Sequence, residues 1–87
     1  MKNRKKPLHT KDEEEQRWLT KAVQGAPRPL PDGLFPKILE QAVENGYSRE
    51  KLLDVLDGWL NFGYCRISDP ISNDIDLTDL GEKFFYG

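Results

Sequence analysis

At 87 residues the chain is long enough for one small domain and too short for a large enclosed active site. Hydrophobic residues make up 37% of it and charged residues 32%, a composition typical of globular proteins and not of disordered ones. No apolar run approaches the roughly 20 residues of a membrane span, and no signal peptide follows the basic start. Cys65 has no second cysteine to pair with. We therefore expect a soluble cytoplasmic protein.

The charges divide unevenly along the chain. Residues 1–49 carry ten Lys and Arg against seven Asp and Glu, whereas residues 50–87 carry three against eight. The net charge of −2 therefore combines a basic first half with an acidic second half. A hypothesis of nucleic-acid binding has to account for the acidic half.

The chain opens on a basic segment without apolar periodicity. We predict that residues 1–9 form a disordered tail in front of a single domain over residues 10–87. Thr10 and Glu13 match a capping box, which places the start of a first helix at Thr10, and Gly25 should end it. The core-facing stripe of this helix consists of Trp18, Leu19, Ala22 and Val23.

A proline-rich connector and a second helix come next. Three prolines between Gly25 and Pro31 predict an extended spacer, although such a segment can also be a ligand for aromatic grooves. Asp32 is the expected N-cap of the second helix, and Pro36 is tolerated in its first turn. The apolar pattern that follows is helical until Asn45-Gly46.

The most apolar stretch of the chain is a third helix between an N-cap at Ser48 and a C′ glycine at Gly63. Only three residues, Tyr47 among them, separate it from the second helix, a spacing typical of a helix-turn-helix. At 100° per residue, its apolar side chains fall in one arc of about 180°. That arc contains Leu52, Leu53, Val55, Leu56, Trp59, Leu60 and Phe62.

The remaining residues predict a hairpin and a last helix. The segments Tyr64–Ser68 and Ile75–Leu77 alternate as two short antiparallel strands do, and Cys65 should be a small buried hydrophobe. Thr78 is the expected cap of a short helix. The fold class is therefore mainly α with a small antiparallel β-hairpin, an α+β fold. The core-facing stripe after the hairpin is predicted as Leu77, Leu80 and Phe84.

Two segments resemble patterns of the winged-helix (winged helix-turn-helix) superfamily. Leu56-x-x-Trp-Leu60 running into Asn61-Phe-Gly-Tyr64 is similar to a third helix that ends in a glycine and leads into the wing. Leu77-Thr-Asp-Leu-Gly81 is similar to the exit from the wing into a helix. The resemblance covers residues 33–87, with residues 11–24 as the first helix. It implies a three-helix core with a wing and a short C-terminal helix, and in DNA-binding relatives a third helix in the major groove.

The surfaces that would contact DNA on this resemblance are acidic in this chain. Carboxylates outnumber Lys51 on the polar arc of the third helix, and the wing loop adds Asp69 and Asp74. Because phosphates are bound mainly by Lys and Arg, we favour a non-enzymatic module that binds a protein partner through the third helix and wing, or that self-associates. The candidate partner-binding residues are Glu50, Asp54, Asp57, Asn61, Tyr47, Phe85 and Tyr86.

The last two of these candidates, with Tyr47, are aromatic. Phe84, Phe85 and Tyr86 are consecutive, so they cannot all point inward from one helix, and at least one should be exposed as interface anchors are. The alternative is that Phe85 or Tyr86 folds back onto Trp18 or Leu30.

The runner-up function is a DNA-binding transcriptional regulator that uses the basic tail and the first helix. Short basic termini are also common solubility features, so this pattern alone decides nothing. The candidate nucleic-acid-binding residues are Lys2, Arg4, Lys5, Lys6, Lys11, Arg17 and Lys21.

Catalytic chemistry has little support in the sequence. His9 is the only histidine and lies in the predicted tail, so neither a nucleophile–base pair nor a histidine metal site can be assembled around it. The acidic hairpin lacks the central glycine and final glutamate of an EF-hand loop. We therefore expect no catalytic residue, no metal, no cofactor, no small-molecule substrate and no membrane contact.

Overall fold

A computed structural model describes the backbone of residues 7–87 and the side chains of residues 14–87. The candidate side chains Lys2, Arg4, Lys5, Lys6 and Lys11 lie outside that description, as do residues 1–6 of the tail predicted over residues 1–9. The described elements confirm a mainly α fold with a small antiparallel hairpin. In chain order they are α1 (Pro7–Gln24), α2 (Leu34–Glu44), α3 (Arg49–Asn61), β1 (Cys65–Asp69), β2 (Asp74–Leu77) and α4 (Asp79–Tyr86).

The first helix begins earlier than predicted. α1 starts at Pro7, so residues 7–9 belong to it and Thr10 is not its N-cap. Proline is tolerated at the first helical position because its missing N–H has no intrahelical partner there. Glu15 lies in the middle of α1 and is buried. Its Oε2 accepts a hydrogen bond from the Ser48 amide at 3.2 Å, which ties α1 to the start of α3.

The cap of the second helix is also different from the prediction. Gly33, with φ at 81°, precedes α2 and makes no side-chain cap, so Asp32 does not take that role. The Gly33 amide instead donates to Asp74 Oδ2 at 2.6 Å, a carboxylate that arrives from the hairpin. Pro36 lies in the first turn as predicted. A contact distant in sequence thus replaces the local cap.

The third helix has the predicted ends. Ser48 Oγ accepts a hydrogen bond from the Lys51 amide, and Gly63 follows with φ at 80°. Phe62 departs from the predicted apolar arc because it is the C-cap residue, after the last helical position, and its side chain is 67% exposed. The buried side of α3 is formed by Leu52, Leu56 and Trp59.

All the helices and the hairpin contribute to one hydrophobic core. Trp59 lies at its centre, with its ring 6.4 Å from that of Phe35 and edge-on to Phe85 at 4.9 Å. Cys65 is buried against this core, as its position in β1 predicted. The core therefore depends on contacts between α2, α3 and α4 that meet at one indole.

Of the predicted core-facing stripe, Leu77 packs against the core, whereas the prediction is wrong for Leu80 and Phe84. Gly81 and Phe85 face the core, while Leu80 is 52% exposed and Phe84 is 40% exposed. The cause is a close approach of backbones, since a Cβ atom on Gly81 would lie 1.7 Å from the Tyr64 carbonyl oxygen. α4 can approach Tyr64 only along its glycine, and Phe85, four residues on, then points inward.

Candidate protein-interaction surface

A groove of about 260 Å³ lies beside the C-terminal half of α3, bordered by α1 and α4. Apolar side chains form most of its lining, and its polar rim is supplied by Gln16, Lys51 and Asp54. A concave site with apolar walls and a few polar groups is typical of ligand and peptide sites. The apolar lining consists of Val55, Trp59, Phe62, Tyr64 and Phe84.

Three aromatic rings form one wall of the groove, and we call them the aromatic stack: Phe62, Tyr64 and Phe84. The Tyr64 ring lies between the other two, 5.6 Å from Phe62 and 4.1 Å from Phe84, with interplanar angles of 28° and 9°. Both outer rings are more than one-third exposed. Exposed aromatic side chains held in fixed positions are typical anchors of protein interfaces.

The stack is held in place by the start of α4. The Thr78 hydroxyl donates to the Gly63 carbonyl and accepts from the Gly81 amide, and the Thr78 amide donates to the Tyr64 carbonyl at 3.1 Å. These bonds fix α4 against the segment that follows α3. The Phe84 ring is thereby placed against the Tyr64 ring. Thr78 therefore orients two of the three rings of the aromatic stack.

A strip of polar side chains on α3, which we call the acidic face, adjoins the groove. It consists of Glu50, Asp54, Asp57 and Asn61, all of them exposed as predicted. Their spacing of three or four residues places them on one side of the helix. Asp54 also lines the groove, so the acidic face and the aromatic stack belong to one continuous surface.

The hairpin contributes less acidic surface than the sequence suggested. Asp74 is buried, and its two carboxylate oxygens accept from the amides of Gly33 and Ile75. Asp69 bonds the Ile71 amide and the Ser72 hydroxyl within the turn. Both carboxylates therefore stabilise the local chain conformation, and the buried Asp74 is not accessible to a partner. The tip instead exposes Ile71.

The prediction that Phe85 binds a partner is wrong. It is 3% exposed and packs against Trp59, so it cannot anchor a partner. Tyr86 is half-buried, with the Arg28 guanidinium 4.0 Å from its ring centroid and its hydroxyl donating to the Val23 carbonyl. Burial raises the pKa of Tyr86.

Tyr47 is half-buried in the turn before α3, with its ring 6.0 Å from that of Trp18. These two rings line a second cleft, of about 270 Å³, together with Glu14, Arg17 and Lys21. Among the candidate nucleic-acid-binding residues, Arg17 and Lys21 are the two whose side chains the structure describes. They share this cleft with the two aromatic rings. None of the cleft residues lines the groove.

Two residues of the groove carry signals that the sequence analysis did not use. Gly58 lies in the interior of α3, where glycine costs about 1 kcal/mol relative to alanine, yet a Cβ added there would meet no atom within 4 Å. Trp59 is 3% exposed, and its indole Nε1 has no hydrogen-bond partner among the described residues. The sequence shows that a glycine interrupts the helical pattern, whereas only the folded structure shows that the indole N–H has no partner.

The described residues also bear on metal binding, thiol chemistry and membrane insertion. No group of three or more His, Cys, Asp or Glu residues there could hold a metal ion. Burial raises the pKa of the Cys65 thiol to about 11, so it stays protonated at neutral pH. Among the described helices, none has the length and apolar character needed to cross a membrane.

The chain matches no protein-family model, no curated protein and no solved structure with which it was compared.

Proposed function

We propose that the chain is a non-enzymatic interaction module that binds a protein partner through the groove and the acidic face of α3. The observation that carries this proposal is the exposed aromatic stack beside Asp54. We also propose that the architecture is winged-helix-like, with α1 to α3 as its core and the β1–β2 hairpin as its wing. On this proposal, the surface of the third helix that contacts DNA in DNA-binding winged-helix proteins binds a protein partner in this chain.

The chemistry of the groove favours a polypeptide. Interface centres are enriched in aromatic residues, and truncating such anchors typically costs the largest share of binding energy. Phe62 and Phe84 offer this kind of surface without being needed inside the core. A groove open along one helix accommodates a short segment of another chain.

The charge of the acidic face favours a basic partner. Glu50, Asp54 and Asp57 are exposed along one side of α3, and Lys51 is the only cation of that helix after Arg49. Complementary charges across an interface accelerate association and suppress wrong partners. A segment that carries Lys or Arg next to an apolar side chain would meet both parts of the surface.

Peptide selection followed by charge reversal tests the proposal. The protein is used to select from a display library of random peptides, and we expect basic, apolar sequences to be enriched. Replacing Asp54 and Asp57 together by Lys should then weaken binding of the selected peptides by at least about tenfold. The matched control reverses two exposed charges on α2, Glu40→Lys with Glu44→Lys, and should leave binding unchanged. Equal effects of both pairs would contradict the proposal.

DNA binding is the second candidate, and the observation that favours it is the pairing of Arg17 and Lys21 in one aromatic cleft. Binding to random-sequence duplex DNA is measured at low and at physiological salt, with and without residues 1–6. We expect weak binding in all cases. Micromolar affinity with a steep salt dependence, lost on truncation or in Arg17→Gln with Lys21→Gln, would replace the protein-binding proposal.

A further inference from the structure

We infer that the groove is built to receive the main chain of its partner. The segment would lie against α3 at Gly58 and accept a hydrogen bond from Trp59 Nε1 through one of its carbonyl oxygens. A large apolar side chain of the segment would pack on Phe62 and Phe84, and a Lys or Arg would pair with Asp54. This inference rests on the proposed function and specifies the partner as a basic peptide segment of another protein.

Gly58 provides the space for a close approach. It lines the groove from the middle of α3, where any other residue except proline would favour the helix more. The fold itself does not require the glycine, because a Cβ would meet no atom within 4 Å and the backbone is ordinary helix. Gly81 is the opposite case, since internal packing excludes a Cβ there. The missing side chain at Gly58 therefore serves the groove and allows another backbone to reach the helix.

Trp59 provides a donor. Its indole is buried and borders the groove, and its N–H has no partner among the described residues. A buried donor without an acceptor is unfavourable, and an incoming carbonyl oxygen removes that penalty. The residue next to Gly58 thus supplies a buried donor whose missing acceptor a peptide carbonyl can provide.

The neighbouring groups select the side chains. The exposed ring of Phe62 and that of Phe84 provide flat apolar surface on one side of the groove, and Asp54 lies on its rim. A segment with one aromatic or large aliphatic residue flanked by cations is complementary to both. An acidic or wholly polar segment would meet the Asp54 carboxylate and leave the apolar walls unfilled.

The test uses synthetic peptides and the two indole resonances of the ¹⁵N-labelled full chain. The probe is a blocked peptide of about ten residues with one central phenylalanine and two lysines on each side, a length that suits groove recognition. Comparison peptides replace the lysines by glutamates or the phenylalanine by alanine. Trp18→Phe assigns the two indole signals.

We expect the lysine peptide to bind and to shift the Trp59 indole resonance, with the Trp18 resonance unchanged, and both comparison peptides to bind at least about tenfold more weakly. Gly58→Ala should weaken binding of the lysine peptide by about tenfold or more while raising the melting temperature by about 3 to 6 °C. Gln41→Ala, on the exposed side of α2, is the control and should leave binding unchanged.

Several results would overturn the inference. Binding that depends on Asp54 and Asp57 but tolerates Gly58→Ala and leaves the Trp59 resonance unchanged would remove it and keep the proposed function. Failure of the lysine peptide to bind would remove both. A Trp59 shift caused by deletion of residues 1–6 alone, or by protein concentration alone, would show that the tail or a second copy occupies the groove instead.

Discussion

The carbonyl oxygen of Tyr64 and Gly81 are so close that a Cβ atom on the glycine would lie 1.7 Å from that oxygen. The neighbouring atoms are backbone, so they cannot rotate away as a flexible side chain can. Gly81→Ala should therefore push α4 away from Tyr64 and lower the free energy of unfolding by about 3 kcal/mol, measured by urea denaturation. Gly58→Ala is the matched control and should raise it by about 0.5 to 1 kcal/mol. Changes of the same sign in both variants would contradict this account.

Removal of the central indole should have the largest effect on stability. Trp59 contacts Phe35 and Phe85 and is almost fully buried, so Trp59→Ala would leave a cavity shared by three helices. We expect a loss of about 3 to 5 kcal/mol, which is a large part of the stability of a domain this small. Thermal unfolding followed by far-ultraviolet circular dichroism measures the loss. An unchanged melting temperature would mean that the core lies elsewhere.

Phe62 should behave in the opposite way to Trp59. Because two-thirds of its side chain is exposed, Phe62→Ala should change the free energy of unfolding by less than about 1 kcal/mol. The same variant should weaken binding of the selected peptides by at least about tenfold if the aromatic stack is the anchor. Calorimetric titration measures the affinity, with Ile71→Ala at the exposed hairpin tip as the control. Full affinity in Phe62→Ala would remove the stack from the interface.

The buried carboxylate of Asp74 should matter more than its exposed neighbours. It accepts the Gly33 amide at 2.6 Å and the Ile75 amide at 3.0 Å, so Asp74→Ala leaves two amides without their acceptor. We expect a loss of about 2 to 3 kcal/mol in urea denaturation. Asp57→Ala removes an exposed carboxylate and should cost no more than about 0.5 kcal/mol. Similar losses in the two variants would argue against the bond to α2.

The Cys65 thiol should make stability fall at alkaline pH. Burial raises its pKa from 9.0 to about 11 in the folded chain. Since the folded state holds the proton more tightly, this contribution is complete below pH 9 and declines as the pH rises towards 11. Urea denaturation across this range measures the decline, which should be smaller in Cys65→Ala. At pH 8 iodoacetamide should label the folded thiol far more slowly than the unfolded one.

Features set by local chemistry were predictable from the sequence. The ends of α3 at Ser48 and Gly63, the Thr78 cap and the antiparallel pairing of the hairpin depend on neighbouring residues, and the structure has them as predicted. The exposed carboxylates of α3 also followed from helical spacing alone. A single amphipathic pattern therefore predicted half of the candidate surface.

Features set by distant contacts were not predictable. Periodicity could not show that Gly81 must face Tyr64, and so it placed Phe84 inside and left Phe85 as an interface candidate. The groove exists only because Phe84 of α4 returns to Phe62 and Tyr64, which lie 20 or more residues earlier in the chain. The cap of α2 by Asp74 has the same cause, since its two partners are 41 residues apart.

The last helix is tied to the first by two hydrogen bonds, from the Gln24 side chain to the Phe85 carbonyl and from the Tyr86 hydroxyl to the Val23 carbonyl. A helix of eight residues has almost no stability in isolation, so α4 persists only while these ties and the burial of Phe85 hold. When α4 detaches, the groove loses the wall that Phe84 forms. Amide hydrogen exchange in α4 therefore measures the lifetime of the binding surface as well as local unfolding.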